Sequence, residues 1–509
     1  MSQKQKYVLG EPVPNNPHAV VSNVPTLSDV CAYEEKLDCV VSAMQQGYPR
    51  FVQHAWVNQL IESVVESLAL EVSYAVLLQK NQRIQSFISS LDKSIQCISL
   101  SENDMGVPMD LVFIDAGEKD KLSVINALKL FIQHTGCLIS SRMAEKALNH
   151  LGKLQSDMHE IGQSVIGHVK NEAQECIRDL SSVESKEAVT LTSSGMNAFY
   201  SAFKALQSVQ RAKGRSEWLQ LGWVYVDSSN ILQKYLSPEE SLSVHYDILN
   251  TEAIVAKIEA MGDALSVVVL EFPTNPFCEL ADLKRISEAV WAQGGLVLVD
   301  PSILSIYNVN CTPYADVMVC SLTKYAGHTG DVMAGAIVLN EASRLFSELK
   351  DGIQANAIPL YEADLMALWE SMREAQSSVE SINQNTCTVL EFFKRHPKVK
   401  KVFSVSENQQ HRSYLKQEHT GGSIVSIELE GSMEAFYDHL QLVKGPSFGT
   451  DFTIVCPYFY LAHYDLVLDT QPNNLLDRLG IDRNLIRISV GCEPIEELLG
   501  AFALALEAI

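Results

Sequence analysis

Positive charge is scarce in this 509-residue sequence: 39 Lys and Arg stand against 62 Asp and Glu, a formal net charge of -23. No Lys/Arg run offsets that balance, so nucleic acid and anionic membrane surfaces, which such a chain repels, are not expected partners. No stretch supplies the roughly 18 uninterrupted apolar residues of a membrane span, and the opening MSQKQKYVLGEPVPNNPHAV lacks the apolar centre of a signal peptide. A cytoplasmic protein is the expectation. The 11 cysteines are odd in number, and neither CxxC pairs nor metal-ligand spacings occur. Reduced thiols are expected, with no disulfide framework and no metal site. With 47% hydrophobic residues the chain has material for two or three packed domains rather than an extended disordered segment.

What is present is a recurring pattern of short apolar runs that end in polar residues. Ala315–Cys320 runs into Ser321-Leu322-Thr323-Lys324-Tyr325 and a Gly-rich turn; Ser266–Leu270 runs into Glu271-Phe272-Pro273-Thr274-Asn275-Pro276; Gly295–Val299 runs into Asp300-Pro301-Ser302. Open α/β sheets bind ligands at the carboxyl ends of their strands, which is where this pattern places Asn275, Asp300 and Lys324. A lysine just past a buried strand, beside the hydroxyls of Ser321 and Thr323, suits Schiff-base chemistry with an anionic group held nearby. A further run, Ala188–Thr192, leads through Ser193-Ser194-Gly195-Met196-Asn197 into a helical pattern, an arrangement that turns free backbone N–H groups toward an anion. Near the end, Arg487 stands inside the apolar strand LIRISVG, where a guanidinium requires a partner.

These motifs resemble the Cys/Met-metabolism family of pyridoxal 5'-phosphate (PLP) enzymes, in particular its fungal-type cystathionine gamma-synthase branch. The likeness covers almost the whole chain and includes Gly47-Tyr48-Pro49-Arg50-Phe51 and the blocks Gln133–Gly136 and Ile139–Arg142. It implies an α/β, fold-type I (aspartate-aminotransferase-like) architecture: an N-terminal arm and extension over 1–180, a large PLP-binding domain over 181–345, and connecting helices with a small C-terminal domain over 346–509. In that scheme Lys324 is catalytic, and Ser194, Gly195, Met196, Ser321 and Thr323 hold the phosphate. Asn275 meets the phenolic oxygen, Asp300 the pyridine nitrogen, and Ser302 stands beside it. Arg487 grips the substrate carboxylate, with Ser447 touching that region through its backbone. Two candidates compete for the phosphate clamp: Arg50, in a Tyr48-x-Arg50 spacing similar to the family element that reaches in from a neighbouring subunit, and Arg142, closer in sequence to the phosphate turn. A shared clamp implies a homodimer or homotetramer.

The implied reaction joins an O-activated homoserine to cysteine, giving cystathionine. A gamma-lyase, a sulfhydrylase and a non-catalytic regulatory homologue are the rivals. Two departures bear on the choice: Leu221 stands where most relatives carry a ring-stacking tyrosine, so that the ring contact is either aliphatic or comes from Trp223 or Tyr225, and Pro446 replaces a common Glu. Elsewhere, Pro12, Pro14, Pro17 and Pro25 predict an extended arm of the kind that crosses an oligomer interface. Val40, Val41 and Met44 predict a helical core stripe. Residues 55 to 135 read as an additional α/β layer, and the spacing from Met143 to Arg178 as helix.

Overall fold

The computed structural model describes residues 7–48, 51–117, 121–156, 162–407, 412–417 and 420–509. Its centre is a seven-stranded sheet in the order Val189–Thr192, Gly335–Leu339, Val317–Ser321, Leu296–Asp300, Leu265–Glu271, Glu217–Leu221, Ser241–His245. All neighbours are parallel except Gly335–Leu339, which runs antiparallel to both of its partners. Helices cover both faces, so the strands are buried on two sides and read as continuous apolar runs such as LSVVVLE. Parallel register then brings Thr192, Leu221, Glu271, Asp300 and Ser321 to one edge, Asp300 directly beside Glu271.

Helix Glu362–Arg395 joins this core to a second one. At 34 residues it is about 50 Å long. Leu365, Leu368, Met372, Ala375, Val379 and Ile382 pack into the large core, while Val389, Leu390 and Phe393 enter that of a five-stranded sheet. That sheet has the order Val399–Phe403, Ile424–Leu429, Ile486–Ser489, Ile454–Pro457, Val443–Lys444.

The front section forms a three-stranded antiparallel sheet, Val72–Leu78 and Ile95–Leu100 flanking Met109–Asp115, with helices Ala55–Ser67, Gln82–Leu91 and Leu122–Thr135. The predicted helix from 143 to 178 is instead two, Ser141–His150 and Gln163–Ser181. Gly152, at φ +66°, takes the left-handed conformation that ends the first.

The proline-rich arm lies on its own chain rather than extending from it. Pro12–Val13 pairs with Val21–Ser22, Val20 N–H donates to Gly330 O at 2.9 Å, and Val24 N–H to Lys444 O at 2.9 Å. The arm thereby covers the edge strand Val443–Lys444, which would otherwise expose unpaired backbone groups. It also satisfies the buried Lys444 ammonium, which donates to Pro25 O at 2.7 Å. The stripe expected at Val40–Met44 shrinks to the short helix Asp38–Val41, with Val40 buried and Val41 47% exposed. Among the described residues no helix is long and apolar enough to cross a membrane.

Candidate active site

Lys324 begins where strand Val317–Ser321 ends, in a turn fixed by its own backbone: Leu322 and Thr323 N–H both donate to Ala334 O, and Gly327 N–H to Leu322 O. The Thr323 hydroxyl closes that turn too, donating to Ala334 O at 3.2 Å and accepting from Ala334 N–H at 3.0 Å. The Lys324 amine emerges between two rings, 4.6 Å from the centroids of Tyr48 and of Phe448. It bonds the Tyr48 hydroxyl at 2.5 Å and the Ser447 hydroxyl at 3.2 Å, and those two hydroxyls lie 2.6 Å apart.

One strand over, Asp300 Oδ1 accepts from Ser302 N–H at 2.9 Å, and Ser302 Oγ accepts from Ser321 N–H at 2.8 Å, which ties the Asp300 and Lys324 turns together. Burial pushes the Asp300 carboxyl up to about 6, against the pull of the Ser302 hydrogen bonds. Next to it Glu271 is 6% exposed. Its Oε1 accepts from Tyr225 N–H at 2.5 Å, while Oε2 is buried without a partner among the described residues. Burial, and then the Asp300 charge, raise this carboxyl well above the ordinary range.

Across the cleft stands Arg487, 4% exposed. Its Nη1 donates to Asn275 Oδ1 at 3.2 Å and its Nη2 to the carbonyls of Pro446 at 2.8 Å and Ser447 at 3.1 Å. Among the described residues its Nε has no partner, although it is buried. The Tyr458 hydroxyl donates to Asn275 O at 3.1 Å, and the rings of Tyr458 and Phe448 each lie 5.4 Å from the guanidinium. Ser447 thus makes two contacts, its carbonyl accepting from Arg487 and its hydroxyl meeting Lys324, the second of which the sequence did not reveal. Phe448 and Tyr458 were also missed as site residues. Both stand beside polar motifs, but nothing in their spacing marks them as facing a guanidinium.

Helix Gly195–Arg211 starts against the lysine strand. Ser194 caps it, its hydroxyl accepting from Asn197 N–H at 3.1 Å. A Cβ at Gly195 would lie 2.8 Å from Ser321 Cβ, so only glycine lets the amides of Gly195 and Met196 come so near that strand. Arg142 does not offer a free fork to this turn. It lines a small cavity of about 40 Å³ with Ser193 and Ser194, but its guanidinium is held by Asp331 O at 2.7 Å, Asp331 Oδ2 at 3.0 Å and Asp364 Oδ1 at 3.3 Å. Arg50 lies outside the described residues. Leu221 is fully buried in the large core, Trp223 packs on Tyr246, Phe459 and His463, and Tyr225 bonds Glu271 and Asp227. Tyr48, expected from the resemblance to belong to an element that reaches between subunits, lies beside the Lys324 of its own chain.

An amine, a carboxylate one strand away, an amide beside an incompletely satisfied guanidinium, and a glycine cradle at a helix start converge on one sheet edge. That donor set fits PLP. The comparisons agree. Residues 115–507 match the family described as Cys/Met metabolism PLP-dependent enzyme. The chain is 27% identical to the L-2-amino-4-chloropent-4-enoate dechlorinase/desaturase of Streptantibioticus cattleyicolor, over 96% of each chain. It is 32% identical to the cystathionine gamma-synthase of Neurospora crassa, over 70% of this chain and 57% of that one. Among solved structures, cystathionine gamma synthase from Xanthomonas oryzae pv. oryzae superposes with a TM-score of 0.57 at 21% identity, covering 69% of this chain and 89% of that one. The fold is therefore the fold-type I α/β architecture, and the chain belongs to the Cys/Met-metabolism family of PLP-dependent enzymes, with PLP as its cofactor.

Proposed function

We propose that this enzyme acts on an L-amino acid bearing a leaving group on its γ carbon, an O-activated homoserine, and replaces that group with the sulfur of cysteine to give cystathionine. The observation that carries the reading is the Lys324 amine held by two hydroxyls, Tyr48 at 2.5 Å and Ser447 at 3.2 Å, opposite a buried guanidinium. Bound PLP supplies the sink for electrons left behind when a C–H bond is broken. The rest is the work of the chain. The amides of Gly195 and Met196, with Ser194 and Ser321, would seat the phosphate, while Thr323, whose hydroxyl is spent on Ala334, shapes the lysine turn. Asp300, fixed by Ser302, would face the pyridine nitrogen, and Asn275 would meet the phenolic oxygen.

Arg487 takes the substrate carboxylate. Its guanidinium already meets three neutral oxygens, and an anion adds the charge those lack. So anchored, Cα lies toward the Lys324 Nζ, which removes the α proton and then a β proton, so that the γ substituent departs. The Tyr48 and Ser447 hydroxyls hold the amine between those transfers and pass protons to or from it.

A second reading, elimination without thiol addition, is favoured by the relative matched over 96% of both chains, whose named substrate carries chlorine on its fourth carbon. Incubation of the PLP-loaded enzyme with O-acetyl- or O-succinyl-homoserine, with and without cysteine, separates the two. Cystathionine formation that Lys324→Ala abolishes supports replacement. A 2-oxo acid that forms regardless of cysteine moves the assignment to elimination, and no turnover of either substrate overturns both.

A further inference from the structure

The front section and the large core do not close completely on each other. Between them lies a cleft of about 460 Å³, a volume in the range of small-molecule sites. Its walls come from the residues just past strand Val72–Leu78, from helices Ser141–His150 and Gln163–Ser181, from strand Val189–Thr192 and from the start of helix Glu362–Arg395. None of Lys324, Tyr48, Asp300, Ser447 and Arg487 lines it. Much of the lining is apolar: Met143, Leu191 and Leu365 are buried, and Ile166 is half-buried.

Five charged side chains also face the cleft, Lys80, Lys146 and Lys170 with Glu102 and Glu362, a positive balance in a chain of net charge -23. Lys146 and Glu362 cancel as an ion pair at 3.2 Å. Lys80 and Lys170 are exposed and unpaired among the described residues, which sets two ammoniums against the one carboxylate of Glu102. Helix Glu362–Arg395 begins in this wall with no side chain capping its first amides, and an open helix start favours negative charge. Its own first-turn acids are committed elsewhere, Glu362 to Lys146 and Asp364 to Arg142 at 3.3 Å. Tyr361, just ahead of the helix, lines the cleft too, and its hydroxyl is buried without a partner among the described residues. A donor left in that state costs free energy that an acceptor would recover.

We propose that this cleft is a second binding site, separate from the one at Lys324, for a small organic anion: a carboxylate, sulfonate or phosphate carried on an apolar body. Lys80 and Lys170 take the charge, and Met143, Ile166, Leu191 and Leu365 take the body.

The test titrates the holoenzyme with anilinonaphthalene sulfonate, which fluoresces on apolar surfaces, and with phenylnaphthylamine, its uncharged counterpart. Saturable sulfonate binding is expected, weakened about tenfold when Lys80→Glu and Lys170→Glu are combined, with phenylnaphthylamine changed less than about twofold. Both lysines are exposed, so reversing them leaves the core intact. Ile166→Trp, which fills the cleft, is expected to abolish binding of both probes; if that variant does not fold, the lysine pair decides alone. Absence of saturable sulfonate binding overturns the proposal, as does binding that survives either set of changes. Equal weakening of the neutral probe by the lysine reversals overturns it as well, and so does loss of binding in Arg487→Ala, which would place the probe at the substrate site.

Discussion

Arg142 and Arg487 are both nearly buried, at 9% and 4% exposure, and differ in what faces them. Arg142 meets two carboxylates, Asp331 and Asp364, at 3.0 and 3.3 Å. Arg487 meets an amide oxygen and two carbonyls, and among the described residues it has no carboxylate within ion-pair distance and no partner for its buried Nε–H. A guanidinium whose charge is balanced inside the protein is a structural clamp. One held in geometry by neutral oxygens, with its charge unbalanced, is prepared for an anion from outside. The difference teaches that burial alone does not mark a functional arginine; its partners do.

The sharpest way to break the comparison is to truncate each arginine. Arg487→Ala is expected to lower kcat/KM for the amino-acid substrate by about two to four orders of magnitude, roughly 3–5 kcal/mol, since the carboxylate loses a charged, hydrogen-bonded partner. Its unfolding midpoint in urea should move little. Arg142→Ala should do the reverse, destabilising the protein by about 3–5 kcal/mol because Asp331 and the fully buried Asp364 are left uncompensated. Asp364 already lies above the usual carboxylate range through burial, with Arg142 the chief influence holding it down. A stable Arg142→Ala protein that has lost PLP affinity would instead make Arg142 the phosphate clamp.

Asn275, Asp300 and Lys324 stood out in the sequence because each follows a short apolar run, and parallel strands align such ends; Arg487 stood out as a guanidinium inside an apolar strand, which runs antiparallel to both of its neighbours in the smaller sheet. The turn at 193–195 was legible as a turn through its strand, small residues and helix. What fills the site from a distance was not. Tyr48 and Ser447 are separated by 399 positions, and Arg142 and Asp364 by 222. No local period records which arginine meets a carboxylate. The break between helices Ser141–His150 and Gln163–Ser181 was missed because apolar spacing stays helical across a glycine that ends the turn. The arm was read correctly as non-helical, but its prolines say nothing about which surface it covers.

Asp300 and Glu271 extend the comparison to acids, as two buried carboxylates on neighbouring strand ends with no cation within ion-pair distance among the described residues, Arg487 acting on Glu271 only from further away. Asp300 is raised to about 6, so the folded apoprotein keeps that proton to a higher pH than the unfolded chain does. A carboxyl raised on folding gives its full stability below its unfolded value, about 4, and that stability is lost as pH climbs through the folded value. Apo Asp300→Asn, permanently neutral, should therefore be more stable than wild-type apoprotein by about 1–3 kcal/mol at pH 8, with the gap closing toward pH 4. Urea titrations at both pH values measure it. PLP affinity should fall in the same variant, and a variant that gains stability without losing affinity would point to Glu271 as the acid that faces the ring.

The smallest effect concerns what separates the two cations of the site. The Phe448 ring lies 4.6 Å from the Lys324 amine and 5.4 Å from the Arg487 guanidinium, and it is 8% exposed. An aromatic face attracts each cation by about 0.5–2 kcal/mol when water is excluded, and here one ring serves both. Leucine keeps the apolar wall but removes the π face. Phe448→Leu should therefore raise KM for the amino acid by about two- to tenfold, as the guanidinium loses part of its orientation, with kcat less affected. Equal loss in kcat at unchanged KM would place the ring's influence on the lysine instead. The two outcomes decide whether Phe448 belongs with the anion-binding arginine or with the proton-carrying amine.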